Sequence, residues 1–165
     1  MLAVLAQGAC AATYSMVGYD LAGPGTGAAA PMVGGGHDGR TGSVAAGFGV
    51  GPVAVEAVLH GHDLETDADR WLSASAGMEL KLRVLQLGPT QTFVHGGALR
   101  ALVLDRDAMD LTWGVGYTYG ATFAVGKRGV RVYVDTDVEQ LTYAGTAVSG
   151  AGTIRSTSAG LMIGR

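Results

Sequence analysis

The chain has 165 residues, of which 48% are hydrophobic and only 15% are charged, and its formal net charge is −3. Ordinary globular domains carry about 25% charged residues. A chain this apolar is not disordered, and a slightly acidic chain without a basic cluster argues against nucleic acid as a partner. After the first dozen positions no run of about 18 uncharged apolar residues occurs, so the sequence predicts no transmembrane helix.

Residues 1–11 are predicted to be the remnant of a secretion signal, and residues 12–165 to be a single domain. The first segment is apolar and ends in small residues, and Ala9-Cys10-Ala11 fits the A-x-A rule for signal-peptidase cleavage. A lipoprotein cysteine at Cys10 and an ordinary buried segment are the alternatives. Cys10 is the single cysteine, which excludes an internal disulfide.

Alternating hydrophobicity and turn residues predict eight β-strands after this segment. In chain order they cover residues 12–22, 41–50, 53–63, 70–83, 91–104, 109–124, 129–143 and 152–164. The alternation is clearest in the sixth strand, where every odd position from Leu111 to Val125 is apolar. Such strands exceed the roughly 5–6 residues usual in soluble domains. They reach the roughly 9–11 residues that a tilted strand needs to cross a bilayer. High hydropathy spread over alternate positions is typical of membrane β-barrels.

The connections between these strands alternate in character. Short turns that carry Gly or Pro are predicted at 51–52, 84–90 and 126–128. The other connections lie at 22–40, 65–69, 106–108 and 144–151. The first of these is long and rich in glycine, whereas 106–108 is short and breaks the trend. Turns at one end and looser loops at the other are typical of outer-membrane barrels.

Charged side chains of both signs share the less apolar face of several strands. On the outside of a soluble barrel this face would be wet, and the sixth strand would expose Gly114, Gly116 and Gly120. Glycine suits places where other atoms approach closely, and the lumen of an eight-stranded barrel is narrow enough to be filled by side chains. We therefore expect this face to line the lumen, where opposite charges neutralise one another. The alternative is a soluble, lipocalin-like barrel whose apolar face encloses a ligand.

Two sets of residues follow from this orientation. The expected polar network of the lumen consists of Glu56, His60, Glu79, Lys81, Arg83, Arg100, Arg131, Tyr133, Asp135, Asp137 and Glu139. The expected lipid-facing residues are Leu111, Trp113, Val115, Tyr117, Tyr119, Phe123, Val130, Val132 and Val134. In the fifth strand, Phe93, Leu99, Ala101 and Val103 are taken as the lipid-facing side, which turns Arg100 inward. Aromatic residues near strand ends, at Phe48, Trp71, Phe93 and Trp113, predict two interfacial girdles.

Three stretches carry a resemblance in layout to a known family. They are the hairpin Gly47-Phe-Gly-Val-Gly-Pro-Val-Ala-Val-Glu56, the strand from Gly114 to Gly120, and Arg131-Val-Tyr-Val-Asp135. With them, residues 12–164 resemble the small eight-stranded outer-membrane barrels of the OmpA/OmpX type. The resemblance implies an all-β, antiparallel, up-and-down transmembrane barrel with a polar lumen closed by charged residues. It also implies a structural protein, an adhesin or a narrow pore.

The residues predict no catalytic, cofactor or metal site. His60 and His62 share a strand face, but two histidines at i and i+2 are a weak metal signal without a third ligand fixed in space. The acids from Asp135 to Glu139 are better explained by ion pairs with arginines than by hydrolysis. No histidine is followed two positions later by serine, as in the barrel deacylases of lipid A, and no Gly-x-Ser-x-Gly elbow occurs.

We therefore expect an exported protein of the bacterial outer membrane with a structural or surface-interacting role, and a narrow pore as the nearest variant. Its outward loops, chiefly 22–40, would contact lipopolysaccharide or an envelope or extracellular protein partner. A lipid-modifying barrel enzyme and a soluble ligand-binding barrel are the alternatives.

Overall fold

The computed structural model describes residues 12–20, 25–27, 39–65, 70–127, 129–144 and 149–164. They form nine β-strands: β1 (Ala12–Asp20), β2 (Gly25–Gly27), β3 (Gly39–Val50), β4 (Val53–Glu65), β5 (Arg70–Leu87), β6 (Thr90–Asp105), β7 (Asp110–Lys127), β8 (Gly129–Ala144) and β9 (Ser149–Gly164). Within these residues, no helix is long and apolar enough to cross a membrane. The predicted signal remnant at 1–11 and most of the predicted loop 22–40 lie outside the described part of the chain.

The predicted strands agree closely with those in the structure. The short strand β2 falls inside the predicted loop 22–40 and was not expected. Strand β5 runs on to Leu87, past a register shift between Arg83 and Leu85 that interrupts the alternation on which its predicted end rested. Gly51 and Gly88 have φ values of 64° and 57°. Glycine adopts this left-handed conformation without penalty, and these two residues close the β3–β4 and β5–β6 turns.

All neighbouring strands pair antiparallel, in the order β1-β3-β4-β5-β6-β7-β8-β9-β2. The strand β1 also pairs with β9, so the ladder returns to the strand at which it begins. The three residues of β2 pair with residues 153–155 of β9, just beyond the stretch 158–164 that pairs with β1. The predicted all-β, antiparallel, up-and-down architecture is confirmed, as a sheet curled about an enclosed interior.

The curled sheet has two chemically different faces. Along β5 and β7, buried and exposed side chains alternate almost residue by residue. We call the side that carries the buried side chains the inner face and the opposite side the outer face. Two apolar clusters lie on the inner face. The loop-end cluster comprises Trp71, Leu99, Ala101, Val103, Leu141, Tyr143 and Ile154. The turn-end cluster comprises Ala45, Val58, Ala124, Tyr133 and Met162, with Phe93 packed against it.

The assignment of faces in the fifth predicted strand, which is β6, is wrong. Leu99, Ala101 and Val103 are buried on the inner face, and Arg100 is exposed on the outer face. The error has a physical cause, because the inner face of β6 is polar near the turns and apolar near the loops. Trp71 is likewise buried in the loop-end cluster, so it does not belong to an outer aromatic girdle.

Candidate functional site

A layer of titratable side chains lies on the inner face between the two apolar clusters. We call it the central polar layer and define it as Glu56, His60, His62, Glu79, Lys81, His95, Asp135, Asp137 and Glu139, each at most 7% exposed. Strand register builds it, because β4, β5, β6 and β8 each turn alternate residues inward at the same height. His60 lies opposite Ser75, and Lys81 lies opposite His95.

The structure places the residues of the expected lumen network as follows. Glu56, His60, Glu79, Lys81, Asp135, Asp137 and Glu139 belong to the central polar layer, and Tyr133 is buried in the turn-end cluster. Arg83 and Arg131 are half-buried. The inward placement of Arg100 is wrong, since it pairs with Ala76 and Val115, both exposed on the outer face. The acids are thus compensated mainly by histidines and one lysine rather than by arginines.

One group within the layer surrounds a single imidazole, and we call it the His95 cluster: Glu79, His95, Asp135 and Asp137. His95 Nδ1 lies 3.1 Å from a Glu79 carboxylate oxygen, and Nε2 lies 3.2 Å from Asp135 Oδ1. A third carboxylate oxygen, Asp137 Oδ1, is 3.6 Å from Nδ1. An imidazole with carboxylates on both nitrogens is satisfied as the doubly protonated cation, in which both nitrogens are donors. The cluster is thus a compact ion-paired group.

The sequence around the His95 cluster explains how the ring fits. A Cβ on Gly120 would lie 2.0 Å from the Thr136 carbonyl oxygen and 2.8 Å from His95 Cε1, so only glycine leaves room for the imidazole. Thr118 donates a hydrogen bond to Asp137 at 3.2 Å, and Thr122 donates one to Asp135 at 2.5 Å. These hydroxyls orient the carboxylates toward the ring.

A second group connects β4 and β8, which face each other across the interior of the curled sheet. We call it the β4–β8 cluster: His60, His62 and Glu139. Glu139 Oε1 lies 3.0 Å from His62 Nε2 and 3.4 Å from His60 Nδ1. The other oxygen of Glu139 accepts a hydrogen bond of 3.1 Å from Ser75. The imidazole planes of His60 and His62 are stacked, 11° from parallel. Two histidines therefore share one carboxylate oxygen.

Lys81 and Glu56 form a third, simpler arrangement. The lysine Nζ lies 2.6 Å from Glu56 Oε1, and both side chains are almost fully buried. A single buried charge is strongly unfavourable. The short contact lets each of these two charges offset the other.

The residues expected to face lipid all lie on the outer face. Each of the nine is at least 38% exposed, and Trp113 reaches 64%. Sheet register sets them beside other exposed apolar residues, as in the pairs Phe123–Val134 and Val132–Leu161. Near the turns, the outer face is thus a continuous apolar surface across β7, β8 and β9, whereas Arg155 is exposed on the same face nearer the loops.

The expected network omitted two of the layer's histidines, His62 and His95. His62 was detectable, because it lies two residues from His60 on the same strand face. His95 stands before Gly96-Gly97, where the small side chains hide the alternation. The hydroxyl groups of Thr41, Ser75, Thr118 and Thr122 gave no signal, since their partners come from other strands.

Comparison with known proteins identifies the fold and nothing narrower. No family model matches the chain, and no curated protein matches it by sequence. Among solved structures, the chain is similar to Neisserial surface protein A (NspA) with a TM-score of 0.67 and 11% sequence identity. The match covers 93% of this chain and 96% of that one. At this identity the likeness concerns architecture alone.

Proposed function

We propose that the chain forms a closed, eight-stranded transmembrane barrel in a bacterial outer membrane, with a structural or surface-interacting role. The observation that carries the proposal is the outer face. Its side chains include Leu59, Met78, Leu80, Trp113 and Val132, each between 56% and 64% exposed. In water such a surface would be unfavourable by about 25 cal/mol for each Å² of apolar area.

The extent of the apolar surface separates this proposal from a soluble barrel. Monomeric soluble proteins rarely expose a contiguous apolar patch larger than a few hundred Å². The soluble, lipocalin-like alternative needs the opposite orientation, with the charged side chains outside and an apolar interior around a ligand. Glu56 and Glu139 are each only 1% exposed, which disagrees with that orientation. The hydrocarbon layer of a membrane would cover these exposed apolar side chains and remove them from water.

The packed interior favours a plugged barrel over an open pore. Tyr133, Leu141, Ile154 and His62 are among the largest fully buried side chains, and they fill the inner face at several heights. A small cavity lined by His60, Glu79 and Lys81 has room for about one water molecule. We therefore assign the protein a surface or scaffold role, with a narrow pore as the variant.

The outward partners we propose are lipopolysaccharide and an envelope or extracellular protein. Arg100 supports a lipid contact, because it projects from the outer face five residues from the loop end of β6. A long arginine at that height can extend its guanidinium toward lipid phosphates while its stem stays among apolar groups.

Membrane fractionation tests the membrane proposal. The chain, expressed with an export signal in a Gram-negative host, is expected in the outer-membrane fraction and to need detergent for extraction. Its band on a gel should migrate differently with and without boiling, since small barrels keep their fold in detergent until heated. Recovery in the aqueous phase without detergent, with one heat-independent band, would overturn the proposal.

Two measurements separate the variants of this function. Planar-bilayer recordings of the refolded protein should show no steady conductance if the interior is plugged, whereas discrete channels would establish the pore. Mass spectrometry of lipid A from cells with and without the protein should show identical species. A change in acyl chains would establish the enzyme alternative.

A further inference from the structure

We propose that the β4–β8 cluster is a binding site for a divalent transition-metal ion, for which Zn²⁺ is the best match. The ligand atoms are His60 Nδ1, His62 Nε2 and Glu139 Oε1. This inference goes beyond the proposed surface role and does not depend on it, since the ligands are defined within the fold itself.

The spacing of the ligand atoms suits a tetrahedral ion. Nitrogen and oxygen ligands about 2.0 Å from tetrahedral zinc lie roughly 3.3 Å from one another. Glu139 Oε1 lies 3.0 Å from one imidazole nitrogen and 3.4 Å from the other. All three ligand atoms fall within 4.8 Å of one another, so little movement is needed to close them around an ion.

Two of the three ligands, His62 and Glu139, are oriented by a second group, as metal ligands in proteins usually are. His62 Nδ1 lies 2.8 Å from Thr41 Oγ1, and that hydroxyl donates to the Gly61 carbonyl at 3.2 Å. When the hydroxyl donates to that carbonyl, Thr41 accepts from Nδ1–H, and in this tautomer the Nε2 lone pair is available to an ion beside Glu139. Ser75 holds the far oxygen of the Glu139 carboxylate in the same manner.

His60 gives an independent observation that points to a ligand. Its side chain is only 5% exposed, and its Nε2 has no hydrogen-bond partner among the described residues. The nearest carboxylate oxygen, Glu79 Oε1, is 4.0 Å away and also lacks a hydrogen bond. If Nδ1 binds a metal, Nε2 carries the proton and is directed at Glu79. A small cavity with room for about one water molecule lies on this side of His60, where Glu79 also lines it.

Charge in the layer favours a cation. Five carboxylates are at most 7% exposed, namely Glu56, Glu79, Asp135, Asp137 and Glu139. Lys81 and a protonated His95 offset part of this charge, and the carboxylates outnumber these two cations before His60 and His62 are considered. A divalent ion held by two neutral imidazoles removes most of that excess. Imidazole nitrogen also selects Zn²⁺ and its neighbours over Ca²⁺ and Mg²⁺, which prefer oxygen ligands.

Another set of three ligand-type residues, Glu79, His95 and Asp137, lies in the same layer. Its histidine has carboxylates at both nitrogens, because Nε2 faces Asp135 at 3.2 Å. A metal ion on Nδ1 would have to displace the proton that faces Glu79 at 3.1 Å, and Nε2 is engaged by Asp135 on the other side of the ring. The proposal is therefore confined to the β4–β8 cluster.

The experiment uses the full chain, refolded in detergent and stripped with a chelator, with Zn²⁺ and Co²⁺ as the probes. We expect one Zn²⁺ per chain by calorimetry, and the intense visible absorption of tetrahedral Co²⁺, removed by added Zn²⁺. The substitutions His62→Gln and Glu139→Gln should each weaken Zn²⁺ binding at least about tenfold. Thr41→Val, which leaves all three ligands in place, should weaken binding by about tenfold or more through loss of ligand orientation.

Matched controls are His95→Gln and Asp137→Asn, which alter the His95 cluster and should leave the stoichiometry and Co²⁺ spectrum unchanged. Heat-modifiable migration on gels identifies the variants that have folded, and only those are compared. The proposal is overturned if the folded wild type binds no Zn²⁺. Binding that survives both His62→Gln and Thr41→Val, or that is lost with His95→Gln alone, also overturns it.

Discussion

The β4–β8 cluster and the His95 cluster both consist of histidines and acids, but histidines outnumber acids in the first and acids outnumber histidines in the second. In the His95 cluster, three carboxylates surround one imidazole, so the acids favour a proton on each ring nitrogen. In the β4–β8 cluster, two imidazoles share one carboxylate oxygen. The comparison teaches that residue type alone does not define a metal site. The ratio of neutral donors to acids decides whether protons or a metal ion complete it.

The largest expected effect comes from breaking the His95 cluster. Asp135→Asn removes the carboxylate at Nε2 and leaves a buried imidazolium less compensated, which should lower the free energy of unfolding by about 3–5 kcal/mol. Urea unfolding in detergent, followed by tryptophan fluorescence, measures the loss. Glu139→Gln in the metal-free protein is the counterpart in the other cluster. It should cost less, because the amide keeps an oxygen beside the two imidazoles, and equal losses would remove the distinction between the clusters.

Zinc should stabilise only the protein with an intact β4–β8 cluster. A ligand that binds the folded state alone raises the free energy of unfolding by about 2.7 kcal/mol at a free concentration 100 times its Kd. We expect that gain in the wild type and in His95→Gln, and none in His62→Gln. The same urea titration with and without Zn²⁺ measures it. A gain in His62→Gln equal to that of the wild type would show that zinc binds elsewhere.

Packing around the His95 ring gives a smaller effect, tested with a pair of glycines. Gly120→Ala places a methyl group against the Thr136 carbonyl and the imidazole, and should cost about 1–3 kcal/mol. Gly61→Ala is the matched control, since its nearest atom would be 4.0 Å away. The difference between the two unfolding free energies is the measurement. Equal stability of the two variants would contradict the close fit at Gly120.

The smallest expected effect is at Arg100. Because this side chain lies on the outer face, Arg100→Ala should change the unfolding free energy by less than about 0.5 kcal/mol. The buried counterpart is Lys81→Met, which removes the ammonium 2.6 Å from Glu56 Oε1 and should therefore cost more than Arg100→Ala but less than Asp135→Asn. A large loss of unfolding free energy in Arg100→Ala would indicate that the Arg100 side chain points inward after all.

The strands and their outer face were largely predictable because they depend on local alternation. The exposed residues from Leu111 to Val125 follow directly from a period of two. The faces of β6 were not predictable in this way, since Leu99 and His95 share its inner side and differ in polarity. Strand β2 lies within a glycine-rich stretch that carries no alternation at all.

The candidate site was less predictable than the fold because its contacts depend on how strands meet across the interior. His62 and Glu139 are 77 residues apart in sequence. Among the long strands, three separate β4 from β8 in either direction around the ladder, so only the closure of the sheet brings them together. The sequence places His60 and His62 on one strand face. The third proposed ligand, Glu139, lies on β8, across the interior from β4.

The pairing of β1 with β9 has a consequence for how the protein assembles. Residues Tyr14 and Gly164 are register partners, so one seam joins segments from near the two extremes of the sequence. Until β9 is in place, β1 and β8 each present a row of unpaired backbone amides and carbonyls, which readily pair with another chain. We therefore expect self-association to be strongest before β9 pairs with β1 and β8. Removing residues 149–164 should increase aggregation of the protein.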